Sequence, residues 1–151
     1  RITVLSDGSP WRPLIHVKDM ARAIEWAVTR KPENGGPFLV VNAGSEPWNY
    51  QVRDLAQEVA AQLPGTQVSI NTDAPPDRRS YRVDFGLFRE LAPQHQPQVT
   101  LDEAIAGLIE GLRRIGFNDP EFRSSSYIRL HTLSRHIDGG RLSPDIRWVR
   151  Q

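Results

Sequence analysis

Cysteine is absent from the 151 residues, which excludes disulfides, thiol nucleophiles and thiolate metal sites. Lysine is nearly absent: of 19 basic residues only Lys18 and Lys31 are lysines, so few amines are available for catalysis. No apolar run approaches the roughly 18 residues of a membrane span, and no signal peptide is visible. An excess of either charge is missing too. The 19 basic residues face 18 acidic ones, a net charge of +1, so no general affinity for nucleic acid or membrane follows. The turn Gly-x-Gly-x-x-Gly, which lets helix-start amides reach a dinucleotide pyrophosphate, does not occur, nor does a P-loop. A Tyr-x-x-x-Lys proton-transfer pair is excluded, because Tyr50, Tyr81 and Tyr127 are followed four residues on by Asp54, Phe85 and His131. His16, His95, His131 and His136 lack zinc spacing, and no nucleophile elbow occurs. No catalytic, cofactor or metal residues are therefore assigned.

What is present suits one globular domain, with 38% hydrophobic and 25% charged residues. The chain opens directly on a strand-like Arg1-Ile2-Thr3-Val4-Leu5 without an initiator methionine, as expected of a piece of something longer. Residues 2–5 and 11–17 read as a hairpin across the turn 6–10, with Pro13 on an edge. Residues 18–30 read as a helix with Met20, Ala23, Ile24, Ala27 and Val28 inward. Asp19 favours its first turn, and His16 reads as a structural hydrogen-bonder. The run Phe38-Leu39-Val40-Val41-Asn42 reads as a strand buried on both faces. A second helix is expected over 52–63, a short strand over 67–70 and a third helix over 85–91, capped by Asp84. Thr100 and Glu103 form a capping box for a fourth helix, with Ile105, Leu108, Ile109 and Leu112 inward. A fifth helix is expected over 127–137, and Trp148 is expected to dock on the body.

The densest chemistry lies in Asp77-Arg78-Arg79-Ser80-Tyr81-Arg82-Val83-Asp84. Pro75-Pro76 stiffens its lead-in. Arginine suits planar, bidentate recognition of phosphate or carboxylate. A solvated basic loop is the bland alternative; a second arginine in a stiff setting, Arg12 between Trp11 and Pro13, counts against it. Trp11 and Trp48, beside Arg12 and Asn49, are aromatics that could line a cleft or simply pack.

These motifs resemble the C-terminal half of NAD-dependent sugar-nucleotide epimerases and dehydratases of the extended short-chain dehydrogenase/reductase family. Arg12-Pro13-Leu14-Ile15-His16-Val17-Lys18-Asp19-Met20-Ala21-Arg22-Ala23 is similar to that family's Arg-x-x-x-His-Val-x-Asp-x-Ala-x-Ala segment. The strand end at Asn42 and Gly44, the step Asn49-Tyr50-Gln51-Val52, the arginine stretch, residues 100–112 and residues 140–148 also fit. The resemblance implies an α/β fold: an incomplete Rossmann-like domain with a few strands and about five helices, forming a single substrate-binding fragment over residues 1–151. Arg12 and Arg79 would clamp the diphosphate of a nucleotide-sugar, with Arg78 as helper. Trp11, Asn49 and Tyr81 are further cleft candidates, and His16 and Asn42 would shape the join to the rest of the enzyme. Residues 38–42 would be a late strand of the sheet, with the helix over 18–30 packed on it.

The glycine turn and Tyr-x-x-x-Lys pair of that family belong to its N-terminal half, which holds NAD and is missing from these residues. The resemblance therefore implies an isomerase or lyase part, cytoplasmic, that neither holds NAD nor turns over substrate alone. A binding or interaction module from a truncated gene and an inert proteolytic fragment are the competing readings. Without sheet neighbours, the edge at residues 38–42 is expected to self-associate, exchange strands or be covered by another segment.

Overall fold

The computed structural model describes residues 1–75, 77 and 79–149, and the chain separates into two compact units, Arg1–Glu110 and Gly111–Gln151. The first unit holds two small sheets. Strand β1 (Ile2–Val4) pairs in parallel with β4 (Val68–Ile70), in the register Ile2 to Val68 and Val4 to Ile70. Strand β2 (Trp11–Pro13) pairs antiparallel with β3 (Asn49–Gln51), setting Arg12 opposite Tyr50. Parallel strands require a crossover, and helix α2 (Val52–Ala61) lies on that path and packs on β1, β3 and β4. This βαβ element, with five α-helices in all among the described residues, is the mixed α/β arrangement of a partial Rossmann-like domain.

The expected hairpin does not form: β1 and β2 belong to different sheets. The loop between them docks on the start of α2. The Gly8 carbonyl accepts the Arg53 amide and the Pro10 carbonyl accepts the Val52 amide, both at 3.0 Å, so the loop satisfies free helix-end donors. Asp7 shapes that loop by accepting the Ser9 amide and hydroxyl, which holds its carboxyl below the ordinary range. Gly8 is needed there. Its φ is +77°, and a Cβ would fall 2.5 Å from Arg53 Cβ.

Helix α1 (Val17–Thr29) is capped by His16, whose Nδ1 accepts the Lys18 amide at 3.2 Å. Its buried face is not the one that apolar spacing suggests. Asp19, Ala23 and Trp26 are buried, whereas Met20, Ile24 and Val28 are exposed. The helix has apolar residues on two sides, and the indole selects which one packs. Trp26 meets Phe88 of helix α3 (Gly86–Leu91) edge to face, with ring centroids 5.5 Å apart. Ala23, Trp26, Phe88 and Ala92 form the core, with Leu39, Val41 and Leu91 packed against it.

Residues 38–42 are the second correction. They form no strand, and they are not buried on both faces. Leu39 and Val41 turn in to the core, while Phe38 (82% exposed) and Val40 (77% exposed) face out. The side-chain period of two is kept, but no backbone group of residues 38–42 has a main-chain partner among the described residues, and a ladder needs one.

Helix α2 matches its expected stripe: Ala56 is buried, Val52, Leu55, Val59, Ala60 and Leu63 are half-buried, and Arg53, Asp54, Gln57 and Glu58 are exposed. Helix α4 (Leu101–Arg114) opens on the capping box. The Thr100 hydroxyl accepts the Glu103 amide at 3.2 Å, and the Glu103 carboxylate accepts the Thr100 amide at 2.8 Å, which lowers the Glu103 pKa. Ala104 and Ile105 are buried and Ile109 half-buried, but Leu108 and Leu112 are exposed, contrary to the expected stripe.

In the second unit, α5 (Arg129–Asp138) is followed by a turn that pairs Leu142 with Trp148. Leu142 is buried, while Trp148 stays 70% exposed and meets the His136 ring edge-on at 5.6 Å. The indole is thus not the docked anchor that its apolar bulk suggests.

Candidate anion-binding site

Asp77 and residues 79–85 belong to no strand, yet side chains from β2 and β3 lace them to the small sheet. The Ser80 hydroxyl accepts the Trp11 amide at 3.0 Å. Asn49 closes a two-point bond with Val83: its Oδ1 accepts the Val83 amide at 2.9 Å and its Nδ2 donates to the Val83 carbonyl at 3.0 Å. Arg82 lies over the Trp11 ring, 4.6 Å from its centroid. At the far end Asp84 accepts the Gly86 amide at 2.7 Å, at the start of α3.

Arg12 and Arg79 are brought together by one carboxylate. Arg12 donates from Nη2 to Asp77 at 2.7 Å and from Nη1 to the carbonyls of Trp11 (2.7 Å) and Arg79 (2.6 Å). Arg79 donates its amide and Nε to Asp77 Oδ1 and its Nη2 to Asp77 Oδ2, at 3.0, 3.1 and 3.2 Å. The Asp77 carboxyl is pushed down to about 2, first by the Arg79 side-chain bonds, then by the Arg79 amide, with the charges of Arg79 and Arg12 adding to them. The same bonds raise the Arg79 pKa. The three groups differ in access: the Arg79 side chain is 84% exposed, Arg12 29% and Asp77 22%. Arg12 is largely committed to internal acceptors, and Arg79 faces solvent.

Beside this cluster lies a cleft of about 430 Å³. Pro13 to Ile15 form one side, residues 41–43 a second, and Tyr81, Val83 and Phe85 the third. Gly44 sits behind Phe85, where a Cβ would come within 2.5 Å of the ring. Of the residues singled out from the sequence, Tyr81 and Asn42 line the cleft. Asn49 is buried and spent on Val83, Trp11 carries Arg82, and neither arginine forms part of the cleft wall. Arg78 lies outside the described residues.

Sequence reasoning passed over Asp77 as a ligand for both arginines, although its placement two residues from Arg79 is the spacing of an Asx turn. It also read Asp19 as a helix-dipole residue. In fact Asp19 is 1% exposed, and its two oxygens accept the amides of Gln98 and Val99 at 2.9 and 3.1 Å.

Among the described residues, α1, α2, α4 and α5 are led by His16, Gln51, Thr100 and Ile128 rather than by a glycine turn, and the Gly86 amide of α3 is taken by the Asp84 carboxylate. Among the described residues no group of three or more His, Asp or Glu could hold a metal ion, and no helix is long and apolar enough to cross a membrane.

Compared with protein-family models, residues 1–44 match the NAD dependent epimerase/dehydratase family. The match takes in β1, Arg12, α1 and residues 38–42, and stops short of Asp77 and Arg79. No curated protein and no solved structure matches the chain.

Proposed function

We propose that these residues are the substrate-binding part of an NAD-dependent nucleotide-sugar epimerase or dehydratase of the extended short-chain dehydrogenase/reductase family, and that Arg12 and Arg79 bind the substrate diphosphate. The observation that carries this reading is the meeting of two guanidiniums, 67 residues apart in the chain, on one anionic group. Two forks that already share a carboxylate are spaced to share a diphosphate. The adjoining cleft, with the exposed Tyr81 ring and the Asn42 amide, offers room for a sugar or base next to the charge. The family match over residues 1–44 supports the reaction class.

In this reading the chain binds without converting. Its residues supply neither Tyr-x-x-x-Lys nor a pyrophosphate turn, so NAD and the proton-transfer pair come from other residues of the complete enzyme. The near-neutral, cysteine-free composition is consistent with a cytoplasmic setting. Calorimetric titration with UDP-glucose and ADP-glucose tests the binding. Arg12→Ala and Arg79→Ala are each expected to weaken it at least about tenfold, through lost charge-assisted hydrogen bonds. Binding untouched by both substitutions would remove the clamp. Conversion of a nucleotide-sugar by the isolated chain with added NAD would refute the non-catalytic assignment.

A second reading, an interaction module, is favoured by residues 38–42. A segment whose main-chain groups have no main-chain partner among the described residues, with Phe38 and Val40 exposed, offers an edge for another strand. Self-association through that edge should be concentration-dependent in sedimentation equilibrium and abolished by Val40→Lys. A wild-type chain that stays monomeric at every concentration would rule it out.

A further inference from the structure

Asp77 is more than a neighbour of the two arginines. It takes two donors from Arg79's guanidinium, one from Arg79's amide and one from Arg12. Those are the guanidinium positions a phosphate oxygen would need. We infer that Asp77 is a built-in competitor for the anion site: it holds Arg12 and Arg79 in place when the site is empty, and a phosphorylated ligand binds by displacing it. This inference rests on the reading of the arginine pair as an anion site.

The geometry separates the roles of the three groups. Arg12 is anchored by two main-chain carbonyls as well as by Asp77, so it stays in position when the carboxylate leaves. The bonds found for the Arg79 guanidinium both go to Asp77, and its side chain is 84% exposed, so it is free to follow an incoming phosphate. The depressed carboxyl pKa fits an anion held by both cations. Arg12, Arg79 and Asp77 sum to one positive charge, and removing the carboxylate leaves two. A single-charge ligand must break the existing bonds for little return. A diphosphate, with several oxyanions across two forks, can replace them all. The device therefore selects for multiply charged ligands.

The size of the effect follows from populations. If the open arrangement makes up about a tenth of the molecules, apparent affinity is reduced about tenfold. Asp77→Asn keeps the shape and removes the charge. It is expected to bind inorganic pyrophosphate about tenfold more tightly than the wild-type chain, to gain much less for inorganic phosphate, and to melt at a lower temperature. Tighter binding in a less stable protein is an outcome that a merely structural carboxylate would not give. Unchanged or weaker pyrophosphate binding by Asp77→Asn would overturn the inference while leaving the clamp reading intact, provided wild-type binding still depends on Arg79. Failure of both proteins to bind pyrophosphate, or binding indifferent to Arg79→Ala, would overturn the clamp reading and this inference with it. Should Asp77→Asn fail to fold, the wild-type chain gives the answer. Saturation with pyrophosphate should move the Asp77 carboxyl carbon resonance, and an unmoved resonance would show that the carboxylate is not displaced.

Discussion

Replacing Asp19 tests the part of the α1 segment that looks least like structure in the sequence. Its carboxylate is 1% exposed and accepts the Gln98 and Val99 amides at 2.9 and 3.1 Å, tying α1 to the chain just before the Thr100 cap of α4. Hydrogen bonds to a charged group contribute about 1.5–3 kcal/mol each, and a buried donor left unpaired costs about 1–3 kcal/mol. Asp19→Asn keeps one acceptor and turns an amide nitrogen towards the other main-chain N–H, so a loss of about 2–3 kcal/mol is expected. Asp19→Ala loses both bonds and should cost about 3–5 kcal/mol. For a chain of this size about 2–4 °C of melting temperature accompanies each kcal/mol, so Asp19→Asn should melt roughly 4–12 °C lower by calorimetry. Hydrogen exchange at Gln98 and Val99 should speed up in both variants. Melting within a degree of wild type, with those two amides still protected, would refute the assignment of Asp19 as a buried tie.

Phe88→Ala removes the 1%-exposed ring that faces Trp26 and should cost about 3–5 kcal/mol in denaturant unfolding, with loss of the near-ultraviolet tryptophan signal; retention of both would contradict the core described. Gly44→Ala would drive a Cβ to 2.5 Å from the Phe85 ring, so it should destabilise the chain and weaken nucleotide-sugar binding at the cleft together; wild-type melting and affinity would show that the close approach is unimportant. Thr100→Ala should cost about 1 kcal/mol through loss of the α4 cap, measurable by urea unfolding, and no shift in midpoint would count against the capping box. Acid titration has a defined sign. The folded Asp77 pKa, about 2, lies below its ordinary 3.8, so its stabilisation is complete above about pH 4 and fades as pH falls towards 2. The stability difference between wild type and Asp77→Asn should therefore be flat above about pH 5 and shrink below pH 4; a flat difference down to pH 2 would contradict the ion-pair geometry.

Residues that act through local rules were legible in the sequence. The stripe of α2, the Thr100–Glu103 box and the presence of β4 follow from spacing and capping chemistry alone, and the structure keeps all three, with the strand starting at Val68 rather than at 67. What was illegible depends on distant partners. The hairpin over residues 2–17 failed because Val68–Ile70 and Asn49–Gln51 are better partners, and the loop carbonyls of Gly8 and Pro10 are taken by α2. The α1 face was misread because apolar spacing cannot tell which of two apolar sides meets Phe88. At the candidate site, the pairing of a stiff arginine at 12 with the stretch around 79 could be drawn from composition. That Asp77 holds both, and that Asn49 is spent on Val83, are matters of three-dimensional closure across 65 and 34 residues.

The central claim is that Arg12 and Arg79 form one anion site. A double-mutant cycle in UDP-glucose binding tests it most directly, using wild type, Arg12→Ala, Arg79→Ala and the double variant. Groups that share one ligand are non-additive, so the double variant should bind little more weakly than the weaker single variant. Losses that multiply independently, or single variants that bind as wild type does, would contradict it.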